Sequence, residues 1–163
     1  MSIIQGKEAA LMKNRKQIAT RIVFTAYSVL LMYFLFFNGR HNYNDYSFAE
    51  YALRNTNFIP FHNILGSLGD LIAGNKLRYV AVNLAGNVLI FVPLGALLPL
   101  NFKKLVSFGK YIVTAVLIPL VIEGIQLIFM VGCFDVDDII LNTIGLLIGY
   151  GFYLFLKRRK EKG

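Results

Sequence analysis

The sequence has a single cysteine, Cys133, so no intramolecular disulfide can form and a disulfide-rich secreted domain is excluded. Charge is also scarce. Asp, Glu, Lys and Arg make up 16% of the 163 residues, against roughly 25% in an average soluble domain. The shortage falls in stretches: 18 uncharged residues lie between Arg21 and Arg40, 24 between Arg78 and Lys103, and 18 between Asp138 and Lys157. Lys110 and Asp135 enclose another 24, broken by Glu123 alone. A helix needs about 20 mostly apolar residues to cross a hydrocarbon layer of roughly 30 Å, so each stretch is long enough to span. An ordinary soluble enzyme and a disordered tail are excluded with the same observation. What replaces charge is 56% hydrophobic and 14% aromatic residues.

No histidine or cysteine set has zinc spacing, since His41 and His62 lie 21 residues apart without partners. No phosphate-cradling glycine loop, serine elbow or nucleic-acid motif is present. The tetrapeptide Met130-Val131-Gly132-Cys133 has the look of a lipidation box but follows three hydrophobic runs, where such a signal is not read. The first run has a basic flank and no small-residue cleavage site before Arg40, so it reads as an uncleaved anchor.

The net charge of +8 is placed at the ends of hydrophobic runs. With four spans, the N-terminal segment, the loop after the second run and the C-terminal segment share one side, and together they hold thirteen Lys and Arg. The other side has four: Arg40, Arg54, Lys76 and Arg78. The positive-inside rule therefore puts both termini in the cytoplasm. The expected fold is all-α, a polytopic membrane protein of four transmembrane helices. A basic cytoplasmic tail covers 1–21, the first span 22–37, an extracellular loop 38–78, three further spans about 79–100, 111–131 and 138–156, and a basic tail 157–163. Within the long loop Ile64 to Ala73 is too short to span and has apolar pairs at helical spacing, which predicts an interfacial or re-entrant helix. Pro60 biases Ile59 towards extended backbone and marks a bend.

Polar residues in the spans are few, and their depths agree. Asn83 and Asn87 are four apart on the second span, roughly 6 and 12 Å below the outer surface at 1.5 Å per residue. Glu123 and Gln126 lie at roughly 12 and 8 Å on the third span, and Asn142 sits one turn inside Asp138 on the fourth. Six polar side chains from three helices thus meet in the outer half of the membrane. Small residues flank them: Gly86, Gly124, and Gly145 with Gly149 on the Asp138/Asn142 face. Pro119, four residues before Glu123, frees a backbone carbonyl and permits a kink. Asparagine and glutamine in such places serve as glue between helices, whereas an intramembrane carboxylate must be protonated, paired or wet, which makes Glu123 a functional candidate. Neutralisation from outside the spans would come from Arg54 or Arg78. Asp135, Asp137 and Asp138 suit a hard cation, but aspartates at a helix start also cap it, the preferred reading for Asp135 and Asp137.

Four segments in order, Asn57-Phe58-Ile59-Pro60-Phe61, then NLAGNVLIFVPLGALLP from Asn83 to Pro99, Glu123-Gly124-Ile125-Gln126, and FDVDDIILNTIGLLIGY from Phe134 to Tyr150, resemble the VanZ-like family of bacterial membrane proteins. The resemblance runs from about Arg54 to Tyr153, and makes 79–153 a VanZ-like core. It implies a role like that of the accessory protein associated with teicoplanin resistance for which the family is named. It also picks out Asn83, Gly86, Asn87, Pro93, Gly95, Glu123, Gln126, Asp135, Asp138, Asn142 and Gly145. Many members have a basic or hydroxyl residue near Cys133 and Phe134 that this chain lacks. From residues and resemblance together, Asn83, Asn87, Glu123, Gln126, Asp135, Asp138 and Asn142 form an expected ligand pocket in the outer leaflet, with no metal and no cofactor. The expected partner is a membrane lipid, a lipid-linked cell-wall precursor or a lipoglycopeptide, and no nucleic acid. The first reading is a non-catalytic binder of such an amphiphile. The second is a small intramembrane enzyme acting on an envelope lipid or polyprenyl-linked sugar, with Glu123 or Asp138 as general acid or base. An ion pathway is disfavoured because the inner half of the second and third spans offers only Thr114 as a polar side chain.

Overall fold

The structure, a computed structural model, describes residues 2–37, 46–72, 74 and 77–162. The side chains of 2–6, 9–10, 13, 71 and 77–83 fall outside the described set, among them those of Asn83 and Arg78. Arg40, His41, Tyr43 and Lys76 also lie outside the described residues.

Four long helices dominate: α1 Ser2–Phe37, α4 Leu77–Asn101, α5 Phe108–Ile128 and α6 Val136–Lys162. Each is long and apolar enough to cross a membrane. Between α1 and α4 lie two short helices, α2 Phe48–Arg54 and α3 His62–Ile72, and a two-residue strand β1 Thr56–Asn57. A second such strand, β2 Phe134–Asp135, precedes α6. The helix expected inside Ile64 to Ala73 is α3. Helix α1 also extends far beyond its uncharged stretch, because the basic segment before Arg21 continues the same helix back to Ser2.

Helices α4 and α6 form the closest pair. Three glycines make this approach possible: a methyl group at Gly95 would collide with the backbone of Leu146, one at Gly145 with Val88, and one at Gly149 with Val92 and Ala96. Without a hydrophobic drive between helices in lipid, backbone proximity and interhelical hydrogen bonds supply the association. The end of the core nearest the α4–α5 connection is aromatic. Tyr111 of α5 stacks on Tyr150 of α6 with centroids 4.0 Å apart, and the Tyr150 hydroxyl donates to Val106 O at 2.6 Å.

Two of the three prolines inside α4 and α5, Pro99 and Pro119, open carbonyls that neighbouring helices close. Proline has no N–H, so Pro99 leaves Gly95 O and Pro119 leaves Ala115 O without the usual donor four residues on. The Tyr111 hydroxyl lies 3.0 Å from Gly95 O and 2.8 Å from Leu146 O, sharing one proton between them. The Thr143 hydroxyl donates to Ala115 O at 3.1 Å. Helix α1 packs on the outside of α4, where Tyr27 donates to Ile90 O at 2.6 Å; Leu31 is its one buried side chain among the described residues.

Candidate functional site

At the end of the bundle where α5 passes to α6, the connecting segments are held by paired backbone and by carboxylates. Strand β1 runs parallel to β2, with Thr56 opposite Phe134 and Asn57 opposite Asp135. Phe134 N donates to Asn55 O at 2.9 Å, and the Tyr51 hydroxyl donates to Gly132 O at 2.5 Å. The pairing brings the Asn57 amide to Asp135 Oδ1 at 3.1 Å, and Asn63 Nδ2 donates to Asp135 Oδ2. Asp135 Oδ1 also accepts Asp137 N at 2.9 Å, so Asp135 caps α6.

Asp137 caps a different helix. Its carboxylate accepts from Phe61 N, from Asn63 N at 2.7 Å and from Ile64 N at 3.0 Å, closing the free amides at the start of α3. Three charge-assisted bonds account for an aspartate that is 1% exposed. They also hold Phe61 at φ 65°, a left-handed conformation that is costly for a bulky residue.

Asp138, the next residue, accepts from Asn87 Nδ2 of α4. Glu123 of α5 is 3% exposed and accepts from Asp135 N at 3.3 Å through Oε2. Asn142, one turn along α6 on the face that carries Asp138, is 3% exposed, and its side-chain oxygen has no hydrogen-bond partner. Glu123, Asp135 and Asp138 all lie within electrostatic reach of Cys133, whose thiol is pushed above its ordinary pKa first by burial and then by those three charges. The thiol donates to Asn55 Oδ1 at 3.3 Å.

Of the expected site residues, Asn87, Glu123, Asp135, Asp138 and Asn142 gather at this end of the bundle. Gln126 is directed elsewhere: its amide donates to Leu35 O at 2.9 Å and ties α5 to α1. Asn83 lies in α4 one turn from Asn87, its side chain outside the described residues. The Arg54 guanidinium stands 5.5 Å from the centre of the Tyr46 ring. Among the described residues none of the four carboxylates is ion-paired, the one salt bridge being Lys157 with Glu161 at 3.9 Å on the surface of α6. Two ligands of Asp135, Asn57 and Asn63, were not picked out by depth because they are outside the spans. Their signal was the Asn57–Phe61 segment itself, with Asn63 just beyond its proline.

A cavity of about 410 Å³ opens beside this cluster, lined by His62, Asn63, Asp70, Asp135, Asp137 and Asp138, with Leu84 and Leu141 as its apolar wall. A second hollow of about 720 Å³ runs between α1 and α5, past Met32, Phe36, Ile125, Phe129 and Val131, and has no charged side chain among the described residues that line it.

The model of the VanZ/LLP1 family matches residues 24–157, which take in the C-terminal part of α1, the whole of α4 and α5, most of α6 and the whole cluster. The chain belongs to that family. Protein VanZ of Enterococcus faecium is 33% identical to it over 137 residues, 84% of this chain and 74% of the relative. No solved structure matches. As a member of the VanZ/LLP1 family with four apolar helices of spanning length, it is a membrane protein. What this VanZ/LLP1 chain offers chemically is a group of acceptors at one end of the helix bundle. Asp138 stands at the cavity wall, with Asn87 of α4 bonded to it.

Proposed function

We propose that this protein contributes to resistance against teicoplanin-type lipidated glycopeptides by binding the polar head of an envelope amphiphile, a lipid or the drug itself, in the cavity at Asp138. The observation that carries the reading is the cavity of about 410 Å³ with a polar wall, at the end of helices otherwise suited to hydrocarbon. A head group there leaves its tail free to stay in the bilayer. Kinship with Protein VanZ supports the resistance context. The thirteen-to-four charge asymmetry supports placing the cavity on the outer face of the cell membrane, with both termini inside. A lipid-anchored drug would partition into that same leaflet.

The test is drug susceptibility in a Gram-positive host expressing wild type, Glu123→Gln or Asp138→Asn at matched levels, with teicoplanin set against vancomycin. Protection by the wild type alone, and against the lipidated drug alone, supports the reading. No protection by the wild type rejects the resistance role.

The cavity-wall position of Asp138, with Glu123 within electrostatic reach behind it, favours one second reading, an intramembrane enzyme using this pair as acid and base on an envelope lipid. Conversion of an added polyprenyl-linked sugar that stops in Glu123→Gln would select it.

A further inference from the structure

Helix α3 is amphipathic the wrong way round for a protein in water. Asn63, Gly66, Ser67 and Asp70 recur at i, i+3, i+4 and i+7, which puts them on one face. With His62 they form the side of the helix that lines the cavity of about 410 Å³, a lining shared with Leu84 of α4 and Leu141 of α6. Leu65, Leu68 and Ile72, spaced i, i+3 and i+7, fall on the other face and are 64%, 40% and 87% exposed. A helix packed on a protein in water turns its apolar stripe inward and its polar face out. Here the polar face is inside and the apolar stripe outside. The exposed apolar surface continues into the segment before α3, where Phe58, Ile59 and Phe61 are each more than half exposed. No charge interrupts the stripe, because Asp70, the one Asp, Glu, Lys or Arg of α3, is on the cavity side.

We propose that this stripe is a lipid-binding surface. Leu65, Leu68 and Ile72, with Phe58, Ile59 and Phe61 beside them, lie against the acyl chains of the leaflet at that end of the bundle, and α3 walls the cavity off from the membrane. The cavity lining sets the height. Leu84 opens the apolar window of α4, and Leu141 stands five residues into α6, roughly 8 Å from its start at 1.5 Å per residue. A helix that shares a cavity with both runs alongside the ends of the spans, and what lies beside spans at that height is lipid. The stripe is thereby continuous with the lipid-facing surface of the long helices, where Leu89 of α4 and Ile144 of α6 are also exposed. A second copy of the chain fits less well. Eleven residues make a helix roughly 16 Å long, and a stable pairing of two proteins needs about 800 Å² on each partner, more than three partly exposed side chains on such a helix offer. This placement of α3 does not rest on the amphiphile-binding reading, because it is set by the helix's own two faces whatever the cavity holds.

The chain contains no tryptophan, so a single one introduced on α3 reports without background. Full-length Leu65→Trp, Ile72→Trp and Asp70→Trp are each reconstituted in phosphatidylcholine vesicles with either plain or dibrominated acyl chains, and each is also titrated with iodide in the water. Leu65→Trp and Ile72→Trp should emit at shorter wavelength than a tryptophan in water, lose about half their fluorescence to the brominated chains and resist iodide. Asp70→Trp, on the cavity face, should lose clearly less to bromine. Positions 65 and 72 are both exposed and lie two turns apart, so if one variant fails to fold the other decides. Quenching of Leu65→Trp and Ile72→Trp by iodide, with no effect of bromine, puts the stripe in water and overturns the proposal. Quenching by neither agent puts it against protein, a second copy or another chain, and overturns it as well. Equal loss to bromine at 65, 70 and 72 overturns the assignment of faces.

Discussion

The Thr143 hydroxyl meets Ala115 O at 3.1 Å, and Ala115 O is the carbonyl that Pro119 leaves unbonded four residues on. A gap in the hydrogen-bond ladder of one helix is thus closed by a side chain of the next. Thr143→Val should cost about 1 kcal/mol, the usual worth of such a bond, read as a lower unfolding midpoint in detergent. The same change in a Pro119→Ala background should cost clearly less, because residue 119 then supplies its own N–H. Additive effects of the two substitutions would show that the bond does not serve the orphaned carbonyl.

The glycines on α6 should separate sharply. Gly149→Ala places its methyl on the backbone of Val92 and Ala96, whereas Gly151→Ala meets nothing within 4 Å. The first should lower the unfolding midpoint and the yield of folded protein. The second should be neutral or stabilise by up to about 1 kcal/mol, from helix propensity. Similar outcomes for both would contradict the close α4–α6 seam.

Asp137 should matter to a helix 65 to 75 residues upstream. Asp137→Ala leaves the amides of Phe61, Asn63 and Ile64 without acceptors, a loss of about 2–3 kcal/mol. Hydrogen exchange across 58–68 should accelerate at least tenfold while exchange in α5 stays near wild type. Unchanged exchange at Asn63 and Ile64 would remove the capping role.

Cys133 gives a pH readout outside the spans. Burial and the neighbouring carboxylates raise its thiol pKa, so at a given pH it holds less thiolate than a free cysteine. Labelling by a neutral maleimide should rise with pH along a curve displaced upward from that of a small-molecule thiol. Asp135→Asn removes one of the charges and should move the curve part of the way back. A curve at or below the model thiol would deny the electrostatic grouping of Cys133 with Glu123, Asp135 and Asp138.

The four long helices were legible in the sequence because charge is costly in hydrocarbon, so uncharged stretches between Arg21 and Arg40, Arg78 and Lys103, Lys110 and Asp135, and Asp138 and Lys157 mark them. The gathering of Asn87, Glu123, Asp138 and Asn142 at one end of the bundle was legible too, since height along a helix follows from counting residues. Azimuth was not: Gln126 is three residues from Glu123, yet it turns to Leu35 of α1 while Glu123 meets Asp135 N. The rotation of α5 that sends them apart is set by packing, which a single helix does not encode. The helical form of 2–21 escaped for another reason, as lysines and arginines permit a helix without announcing one. The β1–β2 pair lay furthest out of reach, because two-residue strands 78 positions apart carry no periodicity.

The bonds from Asp137 to Phe61, Asn63 and Ile64 also impose an order of events on the growing chain. Helix α3 is translated long before residue 137, and α4 and α5 must both be made in between. Until α6 begins to emerge, the start of α3 has no carboxylate to receive its amides, and β1 has no strand beside it. The wall of the cavity formed by His62, Asn63 and Asp70 is therefore a late product of synthesis, fixed when the last span arrives. A chain truncated before Asp135 would contain three of the four long helices and most of the cavity's residues, yet lack the carboxylates that hold that wall in place.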